Sequence, residues 1–292
     1  MSKSRSSTSR RAPKAGAARP PAKASLPPPA QTKAPPGIPE ATFTGLRRFN
    51  AIMGLLHLVQ GILMIVLSNA KTYPIYSNFL RFDPNAMKLV PNSVLEYGLP
   101  FGPAVAVFLL ISAVAHFCLA TFGFRWYVAN LRRHMNPARF YEYALSSSLM
   151  IVLIGMLVGI LDVSSLILMF GINAMMNLFG VMMERHNQTT AKTDWTSFIF
   201  GCIAGIIPWI VILLSLVGPA VESGTEAPFF VYAIIASIFV FFNIFAVNMY
   251  LQYKKVGRWA DYLFGERMFI VLSLVAKTLL AWQIFAGTLA PV

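Results

Sequence analysis

Ser273-Leu274-Val275-Ala276-Lys277-Thr278-Leu279-Leu280-Ala281-Trp282-Gln283 sits inside an apolar run from 266 to 289. That run exceeds the roughly 20 residues a helix needs to cross a bilayer core. Toward the N-terminus six further runs of the same kind precede it, at about 49–68, 100–123, 137–161, 163–183, 195–217 and 228–252. The alternating strand pattern of an outer-membrane barrel is absent. The sequence therefore predicts an all-α membrane protein, a bundle of seven transmembrane helices.

Composition agrees. Of the 292 residues, 57% are hydrophobic and 12% charged, where ordinary soluble domains carry about a quarter charged residues. Gly155 with Gly159, and Gly201 with Gly205, read as close helix packing, and Pro208 is ordinary within a membrane helix. No long-period repeat is visible, which weakens the inverted-repeat transporter class. Cys118 and Cys202 lie inside apolar runs, read as small buried hydrophobes, and carry no metal spacing.

The net charge of +13 is unevenly placed. Residues 1–40 hold eight Lys/Arg against one acid, and nine of the nineteen prolines. Residues 1–44 read as a disordered, basic, Pro/Ala/Ser-rich cytoplasmic tail, attracted to anionic headgroups rather than to nucleic acid. A cleaved organelle-targeting segment is the alternative reading. Residues 45–292 form the membrane domain. Lys and Arg also set its orientation: twenty lie on the N-terminal side of the membrane, against Lys71, Arg81 and Lys88 on the other. Cytoplasmic loops carry the excess of Lys/Arg, which predicts a cytoplasmic N-terminus and an extracellular C-terminus. The loop at about 69–99 is then external. Its length marks a functional or interaction element, and Tyr73-Pro74, Asp83-Pro84-Asn85 and Val90-Pro91-Asn92 give it strand- and turn-like pieces. The sequon Asn187-Gln188-Thr189 falls in an internal loop and reads as a chance match.

Four ionisable residues stand out inside the runs: His57, His116, Glu142 and Lys277. An ionisable group in a span costs several kcal/mol and is a functional candidate by default. At about 1.5 Å rise per residue, Lys277 is roughly 16 Å and Glu142 roughly 8 Å from the N-terminal face. Polar neighbours repeat the helical period: Gln60 follows His57, Ser112 precedes His116, Ser146 follows Glu142 and Ser273 precedes Lys277. Asn173 adds an amide in the fourth run. Together these residues predict one hydrated cavity in the cytoplasmic half. Plainer readings exist: a lone histidine is usually hydrogen-bonded packing, and Glu142 could pair with Arg139 at i−3. Lys277 is too deep to snorkel easily. Its amine has a covalent use, as a Schiff base to an aldehyde. The positive charge of a protonated Schiff base needs a nearby carboxylate, and Glu142 is the one at comparable depth. A lysine in the seventh span with one buried counterion is the chemistry of a retinal protein.

Those same residues carry a family resemblance. Gly45-Leu46-Arg47-Arg48-Phe49-Asn50 leads into His57-Leu58-Val59-Gln60-Gly61. Span 3 reads Arg139-Phe140-Tyr141-Glu142-Tyr143-Ala144-Leu145-Ser146, and span 7 carries Ser273 and Lys277. The chain resembles the heliorhodopsins from about residue 45 to 290, and the tail lies outside the resemblance. The fold is then rhodopsin-like with inverted topology. The resemblance implies all-trans retinal on Lys277, with Glu142 as counterion tuned by Ser112 and Ser146, and Ser273 one turn from the lysine. It implies that His57, Gln60 and His116 line the cavity that holds a proton after its release, with Asn173 in the same polar half. Tyr143, Trp209, Phe242 and Trp282 become candidates for the pocket wall. Family resemblance also implies a homodimer, contacts through the long external loop, and no ion pumping. The leading function is light sensing with an unknown cytoplasmic signalling partner, for which the Arg-rich loop 124–136 is a candidate face. A light-driven proton transporter or channel is the alternative. Neither a nucleotide loop nor a nucleophile–base–orienter set supports an enzyme.

Overall fold

The computed structural model describes residues 39–290. The tail expected at 1–44 therefore falls almost wholly outside the described residues, and the first helix begins within its last residues, at Glu40. Eight α-helices and one β-hairpin follow in chain order: α1 (Glu40–Leu67), β1 (Thr72–Asp83), β2 (Lys88–Pro100), α2 (Phe101–Ala120), α3 (Phe124–Leu131), α4 (Pro137–Leu157), α5 (Val163–His186), α6 (Thr196–Ser223), α7 (Phe229–Lys254) and α8 (Tyr262–Ile284). A π turn over Phe285–Leu289 extends α8. Among the described residues seven helices, all but α3, are long and apolar enough to cross a membrane.

Polar residues at the helix ends define where the spans stop. Asn136, Asp162 and Asp261 cap α4, α5 and α8 by accepting from the backbone N–H of Arg139 (3.3 Å), Ser165 (2.9 Å) and Leu263 (2.9 Å), and Pro137 occupies the first helical position of α4. Gly224, in the left-handed region at φ 67°, ends α6. Pro208 is retained inside α6, as membrane helices permit.

Neighbouring helices in the bundle are α1 with α2, α2 with α4, α4 with α5, α5 with α6, and α7 with α8, and α8 returns to α1. Lipid is as apolar as leucine, so close approach and polar contacts hold such helices together. Gly201 does this as expected: a Cβ there would sit 3.4 Å from the Met176 carbonyl oxygen of α5. Gly155 packs against Met169 of α5 in the same way. Gly159 corrects the sequence reading. It lies beyond the end of α4 at φ 88°, and a Cβ added there would meet nothing within 4 Å. Its role is the α4–α5 reversal, which demands positive φ. Cys118 is half-buried and Cys202 exposed. The expectation that both are buried fails at Cys202.

The 69–99 loop is an antiparallel ribbon with a bulge between Ile75 and Tyr76. Its base is tied to the bundle through Tyr76 N–H to the Leu161 carbonyl (2.9 Å) and Asn78 Nδ2 to Asp162 Oδ1 (3.0 Å). Asn187 of the sequon donates its amide to the Met183 and Asp194 carbonyls, and its oxygen accepts from Asp194 N–H and Thr190. The asparagine thus closes the α5–α6 loop, a structural use for that residue.

Candidate functional site

Lys277 on α8 is 3% exposed and Glu142 on α4 is 10% exposed. The Lys277 amine donates to Glu142 Oε1 at 2.7 Å, to Ser112 Oγ at 2.6 Å and to Ser273 Oγ at 3.0 Å. Ser112 donates its own hydroxyl to Glu142 Oε1 at 2.6 Å. Three helices therefore close one ion pair, and all three donor directions of an ammonium are used. Burying such a pair demands this degree of satisfaction. The Tyr143 ring lies beneath the amine, 5.2 Å from it to the ring centroid, where a ring face attracts a cation. Expected pairings shift in one place: the buried Ser146 hydroxyl finds no hydrogen-bond partner. Ser112, one helix away, is the serine that donates to the carboxylate.

Two cavities meet at this pair. The larger has a volume of about 140 Å³ and is partly open to the outside. Phe140, Met150, Met176, Phe198, Phe242 and Phe245 supply much of its wall, Lys277 and Ser273 are at its polar end, and Ser147 and Asn177 add polar groups. Tyr143 and Phe242 line it as expected. Trp209 and Trp282 do not. Trp209 is buried edge-on against Phe239 and Phe242, behind the wall, and Trp282 donates to Gln60 Oε1 at 3.2 Å and packs on Phe285. Trp282 lies on a helix face turned away from the cavity, while Trp209 stands one layer behind Phe242.

A second, small cavity of about 40 Å³ opens on the other side of Glu142, lined by His116, Asn50, Tyr127, Asn136, Arg139 and Glu266 among others. His116 Nδ1 is 2.8 Å from Asn50 Oδ1. His57 stacks on His116, with ring centroids 5.6 Å apart, and both its nitrogens lack a partner. The single hydrated cavity expected from the sequence is thus reduced: His116 lines it, His57 stands behind His116, and Gln60 turns to Trp282. Asn173 is elsewhere. Its amide donates to Ser147 (2.9 Å) and Ser148 (3.1 Å) of α4, since α5 meets α4 and not α1 or α2 at that level.

The cavity ends on a cluster that the sequence reading missed. Arg139 is not a loop cation or the partner of Glu142. Its guanidinium is 4% exposed and pairs with Glu184 of α5 at 2.7 Å and with Glu266 of α8. Asn136 adds its N–H to Glu184 (2.7 Å) and its amide to Glu266 (2.8 Å). The Phe269 ring covers the guanidinium at 3.7 Å. A signal was present: Glu266, Ser273 and Lys277 fall at i, i+7 and i+11, one helical stripe. Asn173, Asn177 and Glu184 repeat that stripe on α5.

A lysine amine bonded to one carboxylate at the end of an apolar cavity suits covalent attachment of an elongated apolar aldehyde. Comparison with known families agrees. Residues 46–289 match the family described as Heliorhodopsin. No curated protein sequence matches the chain. With the match covering all seven spans, the chain belongs to the heliorhodopsin family and is an integral membrane protein that binds retinal and senses or is driven by light.

Proposed function

We propose that the chain is a light sensor with all-trans retinal on Lys277, Glu142 as counterion, and a proton that stays inside the protein. The observation that carries this reading is the Lys277–Glu142 pair at the junction of an apolar and a polar cavity. The residues fit the group: an aromatic and methionine-lined space has one buried amine, that of Lys277, in its wall. Bound retinal would supply the conjugated chain that absorbs visible light and changes shape.

The rest is chemistry of the chain itself. Glu142 offsets positive charge at Lys277 Nζ, and Ser112 holds the carboxylate in place by donating to it. A proton leaving Nζ meets Glu142 first and then the polar cavity with His116 and Asn50. Two stacked imidazolium rings would repel, so His57 and His116 together take up at most one proton. Beyond them the Arg139 cluster closes the cavity. On the hairpin side of the pair the buried residues are mostly apolar, including Phe108, Met150, Ile151, Ile154, Leu280 and Ile284, and the buried polar ones there, Ser146, Ser148 and Asn173, are not ionisable. That asymmetry favours retention over transport, because a proton crossing needs relay groups on both sides.

By the Lys/Arg distribution, the N-terminal end faces the cytoplasm and so does the unidentified signalling partner. The ribbon is the proposed homodimer contact. Leu80, Phe82 and Leu89 share one face of it and are each more than half exposed, and a two-stranded ribbon alone is marginally stable.

The test is spectroscopic. Wild type with all-trans retinal should develop a visible band. Lys277→Ala should fold and stay colourless, and Glu142→Gln should shift the band or its alkaline titration. Illuminated cells should show no sustained pH change. A retained band in Lys277→Ala overturns the attachment site, and an uncoupler-sensitive pH change establishes transport in place of sensing.

A further inference from the structure

Two arginines at the N-terminal end of the bundle are left without acidic partners by a local architecture that uses their neighbours. The turn from α2 into α3 is closed by Gly123 N–H to the Cys118 carbonyl at 2.9 Å. Arg47 of α1 donates to the Ala120 carbonyl at 2.7 Å, satisfying the end of α2, and its guanidinium lies over Phe124. Arg132 pairs with Glu40 and lies over Phe43. Tyr127 and Leu131, one turn apart, are buried with Phe43, Leu46 and Leu263. One face of α3 is thereby fixed to the ends of α1 and α8.

The opposite side carries Arg125, Trp126 and Ala129 on α3, with Phe122 in the turn before the helix and Arg133 in the turn after it. Phe122 is 85% exposed and Trp126 49% exposed. Arg125 and Arg133 make no side-chain hydrogen bond or ion pair among the described residues. Several other cations at this end are covered by aromatics, as Lys254 is by Trp195 and Tyr250. The α3 side is different: aromatic rings and uncovered guanidiniums alternate where a membrane-spanning helix has just ended. Large aromatics are favoured at the level of lipid headgroups. A short helix with such a face lies in the interface plane and is drawn to anionic lipid.

We infer that the outer face of α3 is a binding site for an anionic phospholipid, with Phe122 and Trp126 in the upper acyl layer and Arg125 and Arg133 on the headgroup phosphates. Guanidinium groups suit this ligand because their planar fork meets a phosphate in two places. An acidic soluble partner would meet the same charges, but it would leave Phe122 and Trp126, which flank them, to be covered separately. A bilayer covers both at once.

The test uses the full chain in phosphatidylcholine vesicles containing a minority of spin-labelled phosphatidylglycerol. The immobilised fraction should exceed that of spin-labelled phosphatidylcholine. It should fall on R125Q/R133Q, by about fivefold for each charge near the surface. R125K/R133K should keep most of the preference, and raised salt should weaken it. In parallel, lipids brominated just below the headgroup should quench wild type more than W126F. An unchanged phosphatidylglycerol preference in R125Q/R133Q overturns the site. So does Trp126 emission quenched by aqueous iodide and not by brominated lipid, which would assign the face to a soluble partner.

Discussion

Two buried ion clusters lie one cavity apart in this bundle, and they are built for opposite ends. Lys277 has one carboxylate and two serine hydroxyls, and it opens onto an apolar cavity. Arg139 has two carboxylates and two aromatic rings, with Asn136 bracing both acids. A lysine is a compact charge whose amine can be deprotonated and made reactive. An arginine stays charged, and its fork holds geometry. The first cluster can exchange a proton and form a bond. The second fixes α4, α5 and α8 relative to one another and shuts the polar cavity. Burial alone does not distinguish them; the cation and its surroundings do.

The largest expected effect comes from removing the fixed cation. Arg139→Met leaves Glu184 and Glu266 buried without their partner, a loss of about 3–5 kcal/mol. Thermal unfolding should show it as a large drop, while the fraction that folds keeps its visible band. Wild-type stability in that variant would dissolve the contrast. Next comes removal of the whole reactive pair. Lys277→Met with Glu142→Gln replaces two charges by groups of similar size, which is often neutral or stabilising by about 1–4 kcal/mol. The double variant should be colourless yet no less stable than wild type. A large loss of stability there would make Lys277 as structural as Arg139. Ser112→Ala removes a hydroxyl that serves both members of the pair, at about 1 kcal/mol for each net hydrogen bond. Its absorption shift should be smaller than that of Glu142→Gln.

The smallest effect lies at the other end of the molecule. Ser165 N–H and hydroxyl, with Asn78, hold the Asp162 carboxyl below the usual carboxylate range. A carboxyl depressed in the folded state stabilises above its ordinary value, and that contribution fades as pH falls through the lowered one. Acidification below about pH 4 should therefore loosen the base of the ribbon. Hydrogen exchange over residues 72–100 should rise in acid beyond the intrinsic pH trend, and Asp162→Ala should raise it at neutral pH. The cavities and both ion clusters should be untouched.

The spans were legible because length and hydropathy are local properties of a membrane helix. Boundaries moved by a few residues at most ends, and at α1 the helix starts at Glu40 rather than near Phe49. Glu40, Arg47 and Arg48 made its first turns read as polar loop, while the structure uses Glu40 and Arg47 in contacts with the α2–α4 segment. Helix α3 was missed because eight residues, one of them an arginine, carry no span-length signal. Lys277 and Glu142 stood out because a charge inside an apolar run is conspicuous. Arg139, Glu184 and Glu266 did not, since each lies near the end of a run, where a charge looks solvated. Their burial is tertiary: three helix ends converge and exclude water from one another. The histidines were half legible. Their level in the membrane followed from counting, but whether His57 faces His116 or Gln60 depends on helix rotation, which a polar pair at i+3 does not fix.

The most direct measurement is the location of the covalent bond. Purified protein loaded with retinal should be reduced with borohydride, digested, and its peptides weighed by mass spectrometry. The account predicts one retinyl group, on the peptide containing Lys277, and none on any peptide of the Lys277→Ala protein. A retinyl group on another lysine, or a coloured wild-type protein with no modified Lys277, would contradict it.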